Sequence, residues 1–152
     1  MKTISRRQIL QAGLSLGAIG SAMFAGLVHA DWPKLAYEQK SLGGAMTQLF
    51  GDRSVEDSSH VSLKAPELAE NGAVVPIKIN TDLPNVKSIS IFVENNPNPL
   101  AARFNMGATQ KGKIATRIKI AKQSNVTAVV EIDNGLFKKT HFIKVTRGGC
   151  GG

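Results

Sequence analysis

Cys150 is the only cysteine in this 152-residue chain, and its surroundings are unusual for that residue type. It lies in the closing sequence TRGGCGG, with Gly148 and Gly149 before it and Gly151 and Gly152 after it. The flanking glycines have no side chains that could bury the sulfur, and there is no second cysteine to pair with it. The pattern therefore predicts an accessible free thiol.

The chemistry available to such a thiol is nucleophilic. A cysteine reacts as the thiolate, and at an ordinary pKa of about 8.5 only a small fraction is ionised at neutral pH. Arg147 is the nearest cation in the sequence, and the terminal carboxylate opposes its effect. Glycine has wide backbone freedom, and residues 147–152 span at most about 20 Å when extended. We therefore predict a thin swinging arm that carries a covalent group and is activated by the protein that receives it.

Other catalytic or binding patterns are missing from the sequence. His60 and His141 lie in no metal-ligand motif, and a glycine arm cannot hold a copper-binding cysteine rigidly. There is no nucleophile elbow, phosphate-binding loop or Cys-x-x-Cys pair. Only 5% of residues are aromatic, and the surplus of 19 Lys and Arg over 11 Asp and Glu is moderate and spread out. We expect no metal, no resident cofactor and no nucleic-acid partner.

Residues 1–30 have the composition of a bacterial export signal. Arg6 and Arg7 precede an apolar stretch over residues 9–28, and Ala30 is a plausible cleavage position. The arginine pair directly before the apolar stretch resembles the twin-arginine signal. An ordinary secretory signal and a membrane anchor are the alternatives, because the apolar stretch approaches the length of a bilayer crossing. We favour cleavage, which leaves the rest of the chain outside the cytoplasm and off the membrane.

The elements that must position Cys150 follow from residue periodicity. Apolar residues at helical spacing predict a short helix over about residues 35–50, although Gly43 and Gly44 weaken it. Beyond residue 52, apolar and polar residues alternate in short runs, as in strands with one buried face. The runs lie at residues 61–64, 74–79, 86–94, 113–121, 125–133 and 138–146.

Turn sequences separate these runs and fix the fold class. The sequence Asp133-Asn134-Gly135 predicts a hairpin, and Pro76 predicts an edge strand or a bulge because proline cannot donate a ladder hydrogen bond. Six or seven short strands predict an all-β, immunoglobulin-like antiparallel β-sandwich over residues 31–146. The export signal, the sandwich and the arm at residues 147–152 then account for the whole chain, without a second domain.

Together these residues resemble the SoxY family, the sulfur-carrier subunits of the thiosulfate-oxidising Sox system. The terminal GGCGG is the most specific feature, and the likeness is weakest over residues 31–60. Further similar stretches are VVPIKI at 74–79, ENNPNPLAARF at 94–104, TRIKIAKQSNV at 116–126 and IKVTRGGC at 143–150. The resemblance assigns no role to Arg147.

This resemblance implies a periplasmic carrier that is not itself an enzyme. It implies a heterodimer with a SoxZ subunit and transient contacts with SoxAX, which couples thiosulfate to Cys150, and with SoxB, which releases sulfate. In some systems SoxCD oxidises the remaining sulfur. No cofactor is implied beyond the sulfur intermediate bound to Cys150, and Gly148, Gly149, Gly151 and Gly152 form the swinging arm.

Two other functions use different parts of the same sequence. A ubiquitin-like sulfur donor would use the terminal Gly-Gly as a thiocarboxylate and would need neither Cys150 nor an export signal. A structural or adhesive extracytoplasmic β-sandwich would use Cys150 for an intermolecular disulfide.

Overall fold

The computed structural model describes residues 32–107 and 110–147. The chain divides into two units, Met1–Trp32 and Pro33–Gly152, and all elements named below belong to the second. Its described residues begin with two short helices, α1 (Lys34–Glu38) and α2 (Leu42–Phe50). The strands that follow are β1 (Glu56–Asp57), β2 (Val61–Lys64), β3 (Leu68–Ala69), β4 (Val75–Thr81), β5 (Ser88–Val93), β6 (Leu100–Asn105), β7 (Lys113–Ile118), β8 (Ser124–Ile132) and β9 (Gly135–Val145).

The larger sheet has the strand order β1-β9-β8-β5-β6, and β3 also pairs with β9. Strands β9, β8, β5 and β6 pair antiparallel, which confirms the predicted sandwich arrangement. The two-residue strands β1 and β3 instead pair parallel to β9, at its beginning and at its end. Strand β8 occupies one side of β9, so β1 and β3 share the other side.

The smaller sheet, in the order β2-β4-β7, is antiparallel throughout. Its centre shows the predicted alternation, because Val75, Ile77 and Ile79 are buried while Pro76 and Lys78 are exposed. The buried residues pack against the inner face of the larger sheet. This packing of two sheets is the β-sandwich predicted from the runs of alternating residues.

The predicted position of Pro76 in an edge strand is wrong for the strand as a whole, because β4 is the central strand of its sheet. However, β2 pairs only with residues from Lys78 to Thr81 of β4. At Pro76 the sole registered partner is Arg117 of β7. The proline therefore stands where β4 has a neighbouring strand on one side, which is compatible with its missing N–H.

A second apolar cluster covers the outer face of the larger sheet. Phe92 of β5 and Leu136 of β9 point to this face and pack against the helices. The rings of Phe50 and Phe92 meet edge to face with centroids 6.4 Å apart. Since both faces of β5 are covered, all six of its residues are buried.

The single helix predicted over residues 35–50 is two helices, with a break at residues 39–41. Ser41 causes α2 to begin there, because its hydroxyl accepts a hydrogen bond from the amide of Gly44 at 3.1 Å. Gly51 ends α2 with φ +63°, a conformation that favours glycine. Over the described ranges no helix has the length and apolar character that a membrane crossing requires.

Candidate functional site at the root of the arm

The residues predicted to carry the function lie outside the described residues. These are Cys150, the four glycines around it and the Arg6–Arg7 pair of the leader. Arg147, the first residue of the predicted arm, is described, as is Thr146 before it. The structure therefore defines the root from which the arm starts.

Strand β9 brings the chain to this root. It is eleven residues long, and nine registered pairs join it to β8. Near its end Ile143 is completely buried in the core between the sheets. The strand that leads into the arm is thus one of the most firmly held elements among the described residues.

A short segment, residues 67–72, runs beside the end of β9, and we call it the bracket. Its first part contains the parallel strand β3, in which Leu68 pairs with Lys144 and Ala69 with Val145. Besides this strand pairing, four hydrogen bonds join the bracket to residues 144–147. They are Lys144 N to Glu67 O at 2.9 Å, Thr146 N to Ala69 O at 3.1 Å, Thr146 Oγ1 to Glu70 O at 3.0 Å and Gly72 N to Arg147 O at 2.8 Å.

The bracket is itself tied to the smaller sheet. The amide of Ile120, just beyond β7, donates to the carbonyl of Gly72 at 2.7 Å. Ile120 and Gly72 are both buried. The side chain of Asn71 accepts a further hydrogen bond from the amide of Ala73 at 2.8 Å. The root of the arm is consequently connected to both sheets.

The described residues around the root include charged side chains but no catalytic arrangement. An open cavity of about 500 Å³ is lined by Glu70, Asn71, Thr146 and Arg147. Arg147 and Glu70 are exposed and of opposite charge, and among the described residues no histidine belongs to this lining. The described part of the root can therefore present a thiol, but it supplies no general base for it.

The two histidines beyond the predicted leader, His60 and His141, lie in different parts of the fold. His60 precedes β2, where its Nδ1 lies 2.9 Å from Asp82 Oδ1 at the surface. His141 lies in β9, and its Nε2 is buried without a hydrogen-bond partner among the described residues. Within residues 32–107 and 110–147 no three His, Cys, Asp or Glu side chains gather closely enough to hold a metal ion.

Sequence reasoning missed a polar network beneath the helices. The carboxylate of Glu131 in β8 accepts hydrogen bonds from Arg53 at 2.7 Å, Arg103 at 2.9 Å and the Ser88 hydroxyl at 2.8 Å. The guanidinium of Arg103 also lies 5.6 Å from the centre of the Phe50 ring. The donors come from distant parts of the chain, so no local motif could reveal the network.

Burial alone would raise the pKa of Glu131. The hydrogen bonds from Ser88, Arg53 and Arg103, with the positive charge of Arg103, outweigh burial and hold the pKa below its ordinary value. Burial raises the pKa of Tyr37, against the opposing influence of Arg103. The members of the network themselves satisfy the Glu131 carboxylate, so the network is not an open reactive site. It instead joins the helical layer to the larger sheet.

These observations define the class of the protein: an all-β, immunoglobulin-like sandwich whose last described strand leads into a glycine- and cysteine-containing segment. A family model described as sulfur oxidation protein SoxY matches residues 46–150. The chain therefore belongs to the SoxY family, and the matched region extends to Cys150.

One solved structure supports the same assignment. The sulfur carrier protein SoxY from Chlorobium limicola f thiosulfatophilum is 35% identical, with a TM-score of 0.63 over 70% of this chain and 96% of that chain. A superoxide reductase (neelaredoxin) from Ignicoccus hospitalis is 20% identical, with a TM-score of 0.50 over 56% of this chain and 79% of that chain. The second likeness concerns the fold alone. No curated protein matches the chain.

Proposed function

We propose that this protein is a periplasmic sulfur carrier that binds thiosulfate-derived intermediates covalently at Cys150 and presents them to Sox enzymes. The observation that carries the proposal is the SoxY family match, which extends to a lone cysteine between two glycine pairs. The neighbouring solved structure is itself described as a sulfur carrier. In this role the protein is a substrate for enzymes and has no catalytic activity of its own.

The proposed chemistry requires only the thiol from this chain. Loading joins the Cys150 thiolate to the outer sulfur of thiosulfate, giving Cys–S–S–SO₃⁻ and releasing two electrons to a haem enzyme of the SoxAX type. Hydrolysis by a SoxB-type enzyme adds water across the S–SO₃ bond, which gives Cys–S–S⁻, sulfate and two protons. A SoxCD-type dehydrogenase, where one is present, oxidises the sulfur that remains.

The arm sequence suits delivery into a narrow active site. Cys150 is three residues beyond Arg147, a span of about 10 Å at the length of an extended residue. The other four residues after Arg147 are all glycine, so no neighbouring side chain widens the segment. The receiving active site would therefore lie close to the arm root, with the sulfur entering it on a slender backbone.

Export and assembly complete the proposal. The Arg6–Arg7 pair suits the twin-arginine route, which carries proteins that are already folded. A folded heterodimer with a SoxZ-like subunit, of which only one member bears a leader, would use that route. After cleavage near Ala30 the carrier would have no membrane attachment and no nucleic-acid partner.

Mass spectrometry of the exported protein tests the covalent role. Incubation with thiosulfate and active SoxAX-type enzyme should add the mass of a thiosulfonate group at Cys150. The Cys150→Ser variant should keep its original mass, while Ser124→Ala, which leaves Cys150 intact, should be loaded like the wild type. An unmodified wild-type protein, under conditions in which the enzymes load another SoxY protein, contradicts the proposal.

The lone cysteine also favours a second candidate, a structural β-sandwich linked by an intermolecular disulfide. An oxidising compartment promotes such pairing of an odd thiol. This candidate expects a stable cross-linked species on non-reducing gels of periplasmic extract, lost in Cys150→Ser, together with no sulfur adduct. A sulfur adduct on the monomeric carrier subunit contradicts it.

A further inference from the structure

We propose that the bracket, residues 67–72, positions the arm by fixing its origin at Arg147, and that Thr146 is the residue that locks this origin. The inference rests on the proposed function, since an origin matters only if the arm delivers a reactive sulfur. Thr146 is a positioning residue, because it touches the bracket and not the reacting atoms.

Thr146 makes two of the four hydrogen bonds that join the bracket to residues 144–147 besides the pairing of β3 with β9. Its amide donates to Ala69 O and its hydroxyl donates to Glu70 O. The side chain is exposed, so it does not fill the hydrophobic core. Its contacts instead restrict where the chain can go after β9 ends at Val145.

Arg147 is held by its backbone. Its carbonyl accepts a hydrogen bond from the amide of Gly72 at 2.8 Å, although its side chain is exposed. Gly72 is buried and its carbonyl accepts a hydrogen bond from the amide of Ile120, two residues beyond the end of β7 of the smaller sheet. Ala69, at the centre of the bracket, is also buried. The origin of the arm is therefore fixed relative to both sheets, and the pairing of β9 with β8 is not its sole support.

If residues 146 and 147 detach from the bracket, the Cys150 sulfur can reach a larger volume. With Arg147 held, three residues separate the fixed backbone from Cys150, a reach of about 10 Å. With residues 146 and 147 also free, the reach rises to about 17 Å. Effective concentration falls with roughly the −3/2 power of tether length, so the sulfur becomes about twofold more dilute at a fixed entrance. Loss of a defined direction lowers productive encounters further.

Three substitutions at Thr146 separate the two hydrogen bonds. Thr146→Ser keeps both, Thr146→Val removes the hydroxyl while keeping the shape, and Thr146→Pro removes both the hydroxyl and the amide N–H. Proline also favours an extended residue before it, which Val145 already is. We expect the attachment of residues 146 and 147 to the bracket to be retained in Thr146→Ser, weaker in Thr146→Val and weakest in Thr146→Pro.

Amide hydrogen exchange measures, without any enzyme, whether the hydrogen bonds at the root of the arm are formed. In the wild type the Gly72 amide should be protected, because it donates to Arg147 O. Protection should persist in Thr146→Ser, weaken in Thr146→Val and fall at least tenfold in Thr146→Pro, while the Ile143 amide stays protected and shows that the sandwich is folded. A Gly72 amide that exchanges at the free rate in the wild type, or equally in all variants, overturns the proposal.

Sulfur transfer then tests whether the fixed origin matters. Each variant is loaded at Cys150 and treated with SoxB-type hydrolase, and sulfate release is followed. We expect kcat/KM to fall about two- to fivefold in Thr146→Pro through a higher KM, with kcat unchanged, and Thr146→Ser to match the wild type. Alkylation of Cys150 by iodoacetamide should proceed equally in all proteins, since the thiol itself is unaltered.

The outcomes distinguish this inference from the proposed function. A wild-type protein that accepts no sulfur at Cys150 refutes the carrier role, whatever the exchange data show. A loaded carrier whose root is loosened in Thr146→Pro, but whose kcat/KM with the hydrolase is unchanged, refutes the positioning role alone.

Discussion

At the scale of single residues, Glu131 shows how a charged group is accommodated under an apolar layer. Its side chain is 14% exposed, and burying a carboxylate in this way is unfavourable unless donors replace the lost water. Two guanidinium groups and one hydroxyl supply that replacement. The ionised form is therefore favoured in the folded protein, which makes stability depend on pH.

We expect the Glu131→Gln substitution to lower the free energy of unfolding by about 1–3 kcal/mol at pH 7, because two arginines lose their ionic partner. The folded-state pKa lies below the ordinary value of 4.5. The contribution of Glu131 is thus present above the unfolded-state pKa and is lost as pH falls through the folded-state pKa. The difference between wild type and variant should narrow from about pH 5 downward, as measured by urea unfolding.

Glu38→Gln is the matched control for this measurement. Glu38 forms an exposed pair with Lys34 at 3.7 Å within α1. Such pairs contribute about 0.5 kcal/mol or less, so this variant should remain close to the wild type. An equal loss of stability in both variants would show that the Glu131 network has no special importance.

At the scale of elements, α2 has one glycine in its first turn and one just beyond its end, and the two have opposite conformational requirements. Gly43 lies within the first turn, and an added Cβ would meet no atom within 4 Å. Gly51 follows the helix with an equally open surrounding, but its φ of +63° is unfavourable for other residues. Space is therefore available at both positions, and backbone conformation alone distinguishes them.

Alanine at these two positions should change stability in opposite directions. Gly43→Ala should raise the free energy of unfolding by about 0.5 kcal/mol, because alanine has the higher helix propensity and restricts the unfolded chain. Gly51→Ala should lower it by about 1–3 kcal/mol, because its positive φ combined with an extended ψ of −141° is strained for any residue with a Cβ. Urea unfolding of the two single variants measures both changes. Shifts of the same sign would contradict this account of how α2 ends.

At the scale of the whole molecule, β5 is the centre of the structure. It is bordered by β6 and β8, its Ile89, Ile91 and Val93 face the smaller sheet, and Phe92 faces the helices. Strand β1, by contrast, has two exposed residues paired only with β9. The free energy of local opening should therefore be much higher for β5 than for β1.

Native-state hydrogen exchange should reveal this difference. Amides of β5 should exchange only through global unfolding, at least about 100-fold more slowly than those of Glu56 and Asp57 in β1. The Phe50→Ala variant, which removes a ring from the helical layer, should accelerate exchange in β5 through its loss of global stability. Similar exchange rates for β1 and β5 in the wild type would contradict a sandwich built around β5.

Several elements were predictable because a local pattern determines them. The alternation of apolar and polar residues from Val75 to Ile79 predicted β4 correctly, because alternate side chains of this strand face the core. The Asp133-Asn134-Gly135 turn was also correct, since Ile132 pairs with Gly135 across it. The resemblance to the SoxY family, based largely on the terminal motif, is confirmed by the family match.

Other elements were missed because their cause is not local. Strand β6 (Leu100–Asn105) has apolar residues at alternate positions 100, 102 and 104, but the apolar Ala101 between them weakens the pattern. Its place at the edge of the larger sheet depends on pairing with β5. Strands β1 and β3 have two residues each, too few for any periodicity, and exist only through pairing with β9. The break between α1 and α2 depends on the capping of Ser41, which the helical spacing of apolar residues concealed.

The sequence by itself determined the thiol, its glycine neighbours and the alternating strands, because residue chemistry and side-chain period need no distant partner. Tertiary structure alone decided that residues 67–72 lie beside the end of β9, and that Arg53, Arg103 and Glu131 meet beneath the helices. These contacts join residues from 28 to 78 positions apart only after the sheets have packed, and no local sequence pattern encodes where two distant backbones will meet.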